Sequence, residues 1–410
     1  MASLMLLLIT LACFWWVFSL KDSLRKFFYL ILAVFIYIYC GLGVGYATKS
    51  YLEYEVYYSV YVILLSLSLK IFCKRDIKMR ISNNINLFST SNSALIFLLY
   101  FGMTLIPMVS SGEIGLLLNP PSVDLTHITE ANNFEKNTVS GVFDSLKNFV
   151  VPLVYLALYK YRGKPLIVIL LLFAVYYIDY CQNAYIGRGT ILAIILFVAV
   201  YLYYYFPRIR KGVVISALSS IPIIVIFFVS YLSLRMGLSV DNLSFNDSLQ
   251  ALVESESYYY SFYYDITGEA TYLFNYIVWF ITLPLPGFLK VFDINMNFNA
   301  LFSALVNGVS LGDIESITLP GLVNESIFIF GKYLFFLHAI LLAWVISVFY
   351  NSLKRNESNF FLIIHSMITL CMFLPRGGTS GPYSGAIKIL FIFFLFYIFR
   401  PKKSTSIKQI

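Results

Sequence analysis

The chain has 410 residues, of which 60% are hydrophobic, 18% aromatic and only 12% charged; soluble domains carry about 25% charged residues. A net charge of +8 could suggest nucleic acid, but the basic residues fall in short loops between apolar runs, where membrane topology accounts for them. A soluble globular protein is excluded, and the class is an all-α polytopic integral membrane protein, because only helices satisfy every backbone polar group of such segments in hydrocarbon.

In chain order, spans are predicted at 3–20, 28–46, 56–73, 93–110, 143–159, 165–181, 190–206, 213–233, 326–350, 359–375 and 386–399, about eleven in one transmembrane domain over 1–410. The first run lacks a basic start and is followed by KDSLRK (21–26), so it reads as a retained helix rather than a leader. KDSLRK, KRDIKMR (74–80), KYRGK (160–164), PRIRK (207–211), Lys354–Arg355 and the tail RPKKSTSIK all fall on one side of this arrangement. By the positive-inside rule that side is cytoplasmic, with the N-terminus outside and the C-terminus inside. Two larger outer segments follow, a first loop over 111–142 and a loop domain over 234–325. Within the latter, YLFNYIVWFITLPLPGFLKVF (272–292) is apolar, but Pro284 and Pro286 break it. It is expected to be interfacial or re-entrant, roofing a cavity.

Arg376, in LPRGGTSGPYSG (374–385), then faces outward, as do Arg188 in YIGRGT (185–190) and Arg235 in SLRMG (233–237). Each has a glycine within two residues. Glycine lets backbone approach a ligand closely, and the guanidinium fork matches phosphate oxygens. Arg188, Arg235 and Arg376, with Gly377 and Gly378, are therefore candidates for gripping a diphosphate at the membrane surface. Lys290, Lys332 and Lys388 lie near the same face as headgroup anchors.

Three outer carboxylates are candidate catalytic bases for a sugar hydroxyl: Asp265 and Glu269 in YYDITGEATY, four apart and so on one helical face, and Glu325 in LPGLVNESIFIFG (319–331). Asp179 is expected to pair with a neighbouring arginine. His338 and His365 lie within spans, where a neutral imidazole hydrogen-bonded between helices is expected, and His127 lies in the first outer loop. The run YYYSFYYD (258–265) reads as an interfacial aromatic belt or as rings for sugar stacking. Cys13, Cys40, Cys73, Cys181 and Cys371 show no disulfide or metal spacing. No metal or cofactor motif, Walker sequence or dinucleotide fingerprint appears, so an activated donor would arrive through the membrane carrying its leaving group.

The stretches GRGT, LPLPG, LPGLVNESIFIFG and PRGG together make residues 180–400 resemble the bacterial oligosaccharide repeat-unit polymerases, the O-antigen polymerase or Wzy type. KYLF, Lys332–Phe335, stands where the family's pattern has a glycine. The resemblance implies a membrane glycosyltransferase of the bacterial inner membrane with periplasmic loop domains. It would use undecaprenyl-diphosphate-linked oligosaccharides as donor and acceptor, without nucleic acid or cofactor, alongside membrane lipids and a chain-length regulator protein. Two rival expectations are an O-antigen ligase, for which His127 is a poor outer histidine, and a lipid-linked oligosaccharide flippase. A flippase should show internal repeats that this sequence lacks.

Overall fold

The computed structural model describes residues 2–42, 52–74, 90–120, 147, 150–183, 187–235, 272–282, 298–310, 320–354, 357–379, 382–383, 385–387 and 389–390. Within these the chain is helical with no strand. The helices are α1 (Ala2–Phe14), α2 (Ser23–Ile36), α3 (Leu52–Lys74), α4 (Thr90–Ser110), α5 (Val150–Tyr161), α6 (Pro165–Asn183), α7 (Arg188–Tyr205), α8 (Arg210–Arg235), α9 (Leu273–Thr282), α10 (Phe298–Asn307), α11 (Leu322–Leu353) and α12 (Phe360–Gly377).

Six segments among the described residues are long and apolar enough to cross a membrane: Ser23–Gly41, Glu53–Cys73, Ser93–Ser110, Pro165–Gln182, Leu322–Leu353 and Glu357–Arg376. Ser3–Ser19 is a shorter apolar helix, and Val150–Tyr161 is the continuously described part of the expected span 143–159. The runs at 190–206 and 213–233 become α7 and α8, joined by a single tight turn at Pro207–Ile209 and bent through 112°. Proline starts that turn because its fixed φ suits a first helical position and no backbone donor is needed there. If the bent pair is one span, the total is seven. The last predicted span, 386–399, lies mostly outside the described residues, as do most of the loops 111–142 and 234–325. Within 272–292, the ten residues of α9 form a helix, too short to cross.

The bundle centres on α11 packed along α3, with α12 against α2 and α7, α1 on α3, and α4 on α6. Lipid tails are as apolar as leucine, so burial alone does not drive helices together in a membrane; close packing and interhelical hydrogen bonds do. The buried faces accordingly carry tyrosines. Tyr54 donates to the Cys40 carbonyl (2.9 Å), and the Tyr155 and Tyr176 hydroxyls share a hydrogen bond at 2.7 Å. Apolar side chains such as Leu8, Leu98, Phe173 and Ile215 stay exposed, as suits a lipid-facing surface.

Hydrogen bonds sort the loops into two ends. At one end, Asp22 caps α2 by accepting from Arg25 N (3.3 Å) and receives Lys354 and the Tyr350 hydroxyl (2.7 Å) from the end of α11. Arg25 reaches Asn351 and the Cys73 carbonyl at the end of α3 (3.4 Å), and lies 4.5 Å over the Tyr350 ring. Tyr204 donates to Ser23 (2.8 Å) and Tyr201 to the Arg162 carbonyl (2.8 Å). The loops carrying Lys21, Arg162, Arg208 and Lys354 thus gather at one end of the bundle. Arg376, Glu325 and the start of α7 belong to the other.

Candidate functional site

The site at that other end is built around one short buried helix. Gly321 (φ 71°) starts α11 and Gly331 (φ 74°, ψ 170°) breaks it after nine residues. Positive φ with extended ψ at both positions costs an L side chain about 1–3 kcal/mol, which glycine avoids. Each of Leu322–Gly331 is buried, whereas beyond the break Lys332–Leu353 shows mixed faces, Tyr333 being almost fully exposed. Those 22 residues reach about 33 Å, enough to cross the hydrocarbon unaided. The first nine form a separate element sealed inside the bundle.

The last turn of α12 docks against it. Gly378, at φ 75°, ends α12 with its N–H on the Leu374 carbonyl (3.2 Å). The Pro375 carbonyl accepts from the Cys40 thiol (3.5 Å), and the Arg376 carbonyl accepts from the Gly321 N–H (3.2 Å). The carbonyls that a helix leaves open at its C-terminus are thus satisfied by two other elements. Glu325, fully buried, accepts the Thr379 N–H at Oε2 (2.7 Å) and the Thr379 hydroxyl at Oε1 (2.8 Å). With its proton committed to Glu325, Thr379 Oγ1 accepts from the Tyr276 hydroxyl of α9 (3.0 Å). A Cβ at position 378 would overlap the same carboxylate, lying 2.8 Å even from its farther oxygen.

Of the candidate residues, the structure brings Glu325, Gly378 and the backbone of Arg376 into one cluster. The Arg376 guanidinium is half-buried, 5.9 Å from the centre of the Tyr39 ring, a distance at the outer limit of a cation–π contact. Arg188 is the first residue of α7, and its neighbour Gly189 packs on Phe373, one turn before Arg376. Arg188 and Arg376 therefore sit at adjoining helix ends. Arg235 is the last residue of α8, and no described contact joins it to this cluster. Asp265, Glu269, Lys290, Lys388 and His127 lie outside the described residues.

Other expectations resolve locally. Asp179 pairs with Lys147, which also donates to Gln182 (3.0 Å). Lys332 meets Glu53 at 3.7 Å rather than standing alone. His338 bonds Tyr61 between α11 and α3 (Nδ1 to hydroxyl, 3.0 Å), whereas His365 stacks flat on Tyr155, with ring centroids 3.8 Å apart. No disulfide joins the five cysteines. Thr379 and Tyr276 were not singled out in the sequence; only the position of Thr379 beside the Arg-Gly pair hinted at a role.

Comparison of the chain with protein-family models, with curated proteins and with solved structures returned no match. The chemistry must therefore be argued from the site itself. A guanidinium on a braced turn beside glycines offers directed donors to an anion. The buried Glu325 carboxylate offers acceptors only to groups already inside the bundle.

Proposed function

We propose that this chain polymerises lipid-diphosphate-linked oligosaccharide repeat units on the non-cytoplasmic face of a bacterial inner membrane. In this reading a hydroxyl of the acceptor sugar attacks the anomeric carbon of the donor. The new glycosidic bond forms as the anomeric C–O bond to the lipid diphosphate breaks, the diphosphate leaves with the electron pair, and the hydroxyl proton passes to a carboxylate. Arg188, Arg235 and Arg376 bind the departing diphosphate, with Asp265 or Glu269 as the base.

The observation that supports this reading is the meeting of two arginine-bearing helix ends, at Arg188 and Arg376, on the end of the bundle away from the basic loops. Negative charge grows on the leaving diphosphate, and donors fixed in advance stabilise it without rearranging at the moment of reaction. Loss of one such donor costs on the order of 100-fold or more in rate.

Deleting the gene and examining the lipopolysaccharide on a gel tests the proposal. Polymerase loss leaves core bearing a single repeat, whereas ligase or flippase loss leaves unsubstituted core. Complementation with R376A should leave single repeats with the protein still in the membrane, and R376K should restore little, since an ammonium cannot replace the planar fork. Full-length polymer from R188A, R235A and R376A alike would refute the assignment.

A further inference from the structure

We infer that Glu325 is a positioning residue, which locks the turn after Arg376 so that its guanidinium is presented to the diphosphate in one pose. This rests on the proposed role of Arg376. It assigns Glu325 a task other than taking the hydroxyl proton.

The geometry comes from one turn of helix gripping one turn of chain. Residues 321–325 form the first turn of α11, closed by Glu325 N–H on the Gly321 carbonyl (2.9 Å). The two ends of this turn hold the two ends of the segment 376–379. Gly321 N–H takes the Arg376 carbonyl, and the Glu325 carboxylate takes both donors of Thr379. Arg376 is thereby referenced at both sides to the same rigid element. Gly378 between them has no Cβ, and the carboxylate fills the space that one would need. Tyr276 closes the assembly through Thr379 Oγ1, which brings α9, from the loop domain, onto the same device.

A base must come within about 3 Å of the hydroxyl it deprotonates. Glu325 has no exposed surface, and both of its oxygens already hold Thr379 donors. A carboxylate so committed suits bracing. Bracing matters because a supporting group left loose by about 1 Å can cost on the order of 100-fold in rate.

Hydrogen exchange and lipid binding on the full chain in nanodiscs test this, with undecaprenyl diphosphate as the probe. Wild type, T379S, T379V, E325Q and R376A are compared by amide exchange of peptides covering 376–383 and by native mass spectrometry of the bound lipid. T379S keeps both donors and should match wild type. T379V and E325Q should raise exchange across 376–383 and weaken undecaprenyl diphosphate binding about tenfold, while peptides from 332–353 exchange as in wild type. R376A should weaken binding with exchange unchanged. If T379V and E325Q leave exchange in 376–383 unaltered, or raise it with lipid affinity intact, the positioning role is overturned. The diphosphate reading fails separately, if R376A binds the lipid as tightly as wild type. Should E325Q not fold, the T379S and T379V pair decides the matter alone.

Discussion

Gly189 lies against one edge of the Phe373 ring: a Cβ there would come within 2.7 Å of two ring carbons. This close approach is what sets the start of α7 beside the end of α12, and with it Arg188 beside Arg376. G189A should destabilise the protein by about 1–3 kcal/mol through overpacking. F373L should relieve part of that cost in the double variant, giving a non-additive cycle when thermal midpoints are compared in one detergent. Additive effects would show that the two helix ends are not in contact.

Gly378 carries two independent constraints, a positive φ with extended ψ and a carboxylate where its side chain would be. G378A should therefore cost more than the ~1–3 kcal/mol of the backbone conformation alone. G163A, at a glycine with open space around it, is the control and should be neutral. Thermal unfolding of the two variants side by side reads the difference.

Tyr61 and His338 bond across α3 and α11 in a fully buried setting. Y61F leaves an imidazole nitrogen without that partner, at a cost of about 1–3 kcal/mol. Y61F/H338F removes both polar groups and should recover much of the loss. Detergent-solubilised thermal midpoints of the three variants check the order.

Asp22 supplies a pH dependence at the other end of the bundle. Burial alone would raise its carboxyl, but the hydrogen bonds from Lys354 and Tyr350 outweigh it and hold it below its ordinary value of 3.8. A carboxyl depressed on folding stabilises fully above 3.8 and loses that contribution as pH falls through the lower folded value. D22N should lower the midpoint at pH 6 and flatten its fall on acidification below about pH 4. An unchanged acid limb would assign the effect to other carboxylates.

Much of the fold was legible because its cause is local. Runs such as LEYEVYYSVYVILLSLSLKIFCK become helix wherever lipid leaves backbone groups no other partner. Within 272–292 the described helix is the short α9, Leu273–Thr282. Hydropathy alone does not show the 112° bend within 190–233, nor the break at Gly331 that separates a buried nine-residue helix from the long helix after it. Gly321 and Gly331 marked that boundary in plain sight, yet a glycine declares its positive φ only once the backbone is traced.

By itself the sequence determined a helical chain with several segments apolar enough to cross a membrane, because hydrophobicity acts residue by residue. Only the tertiary structure decided that Glu325 serves Thr379, 54 residues away, and that Lys147 pairs with Asp179. Such pairings depend on which helices become neighbours. That is set by side-chain packing between elements distant in the chain, where no local pattern records it.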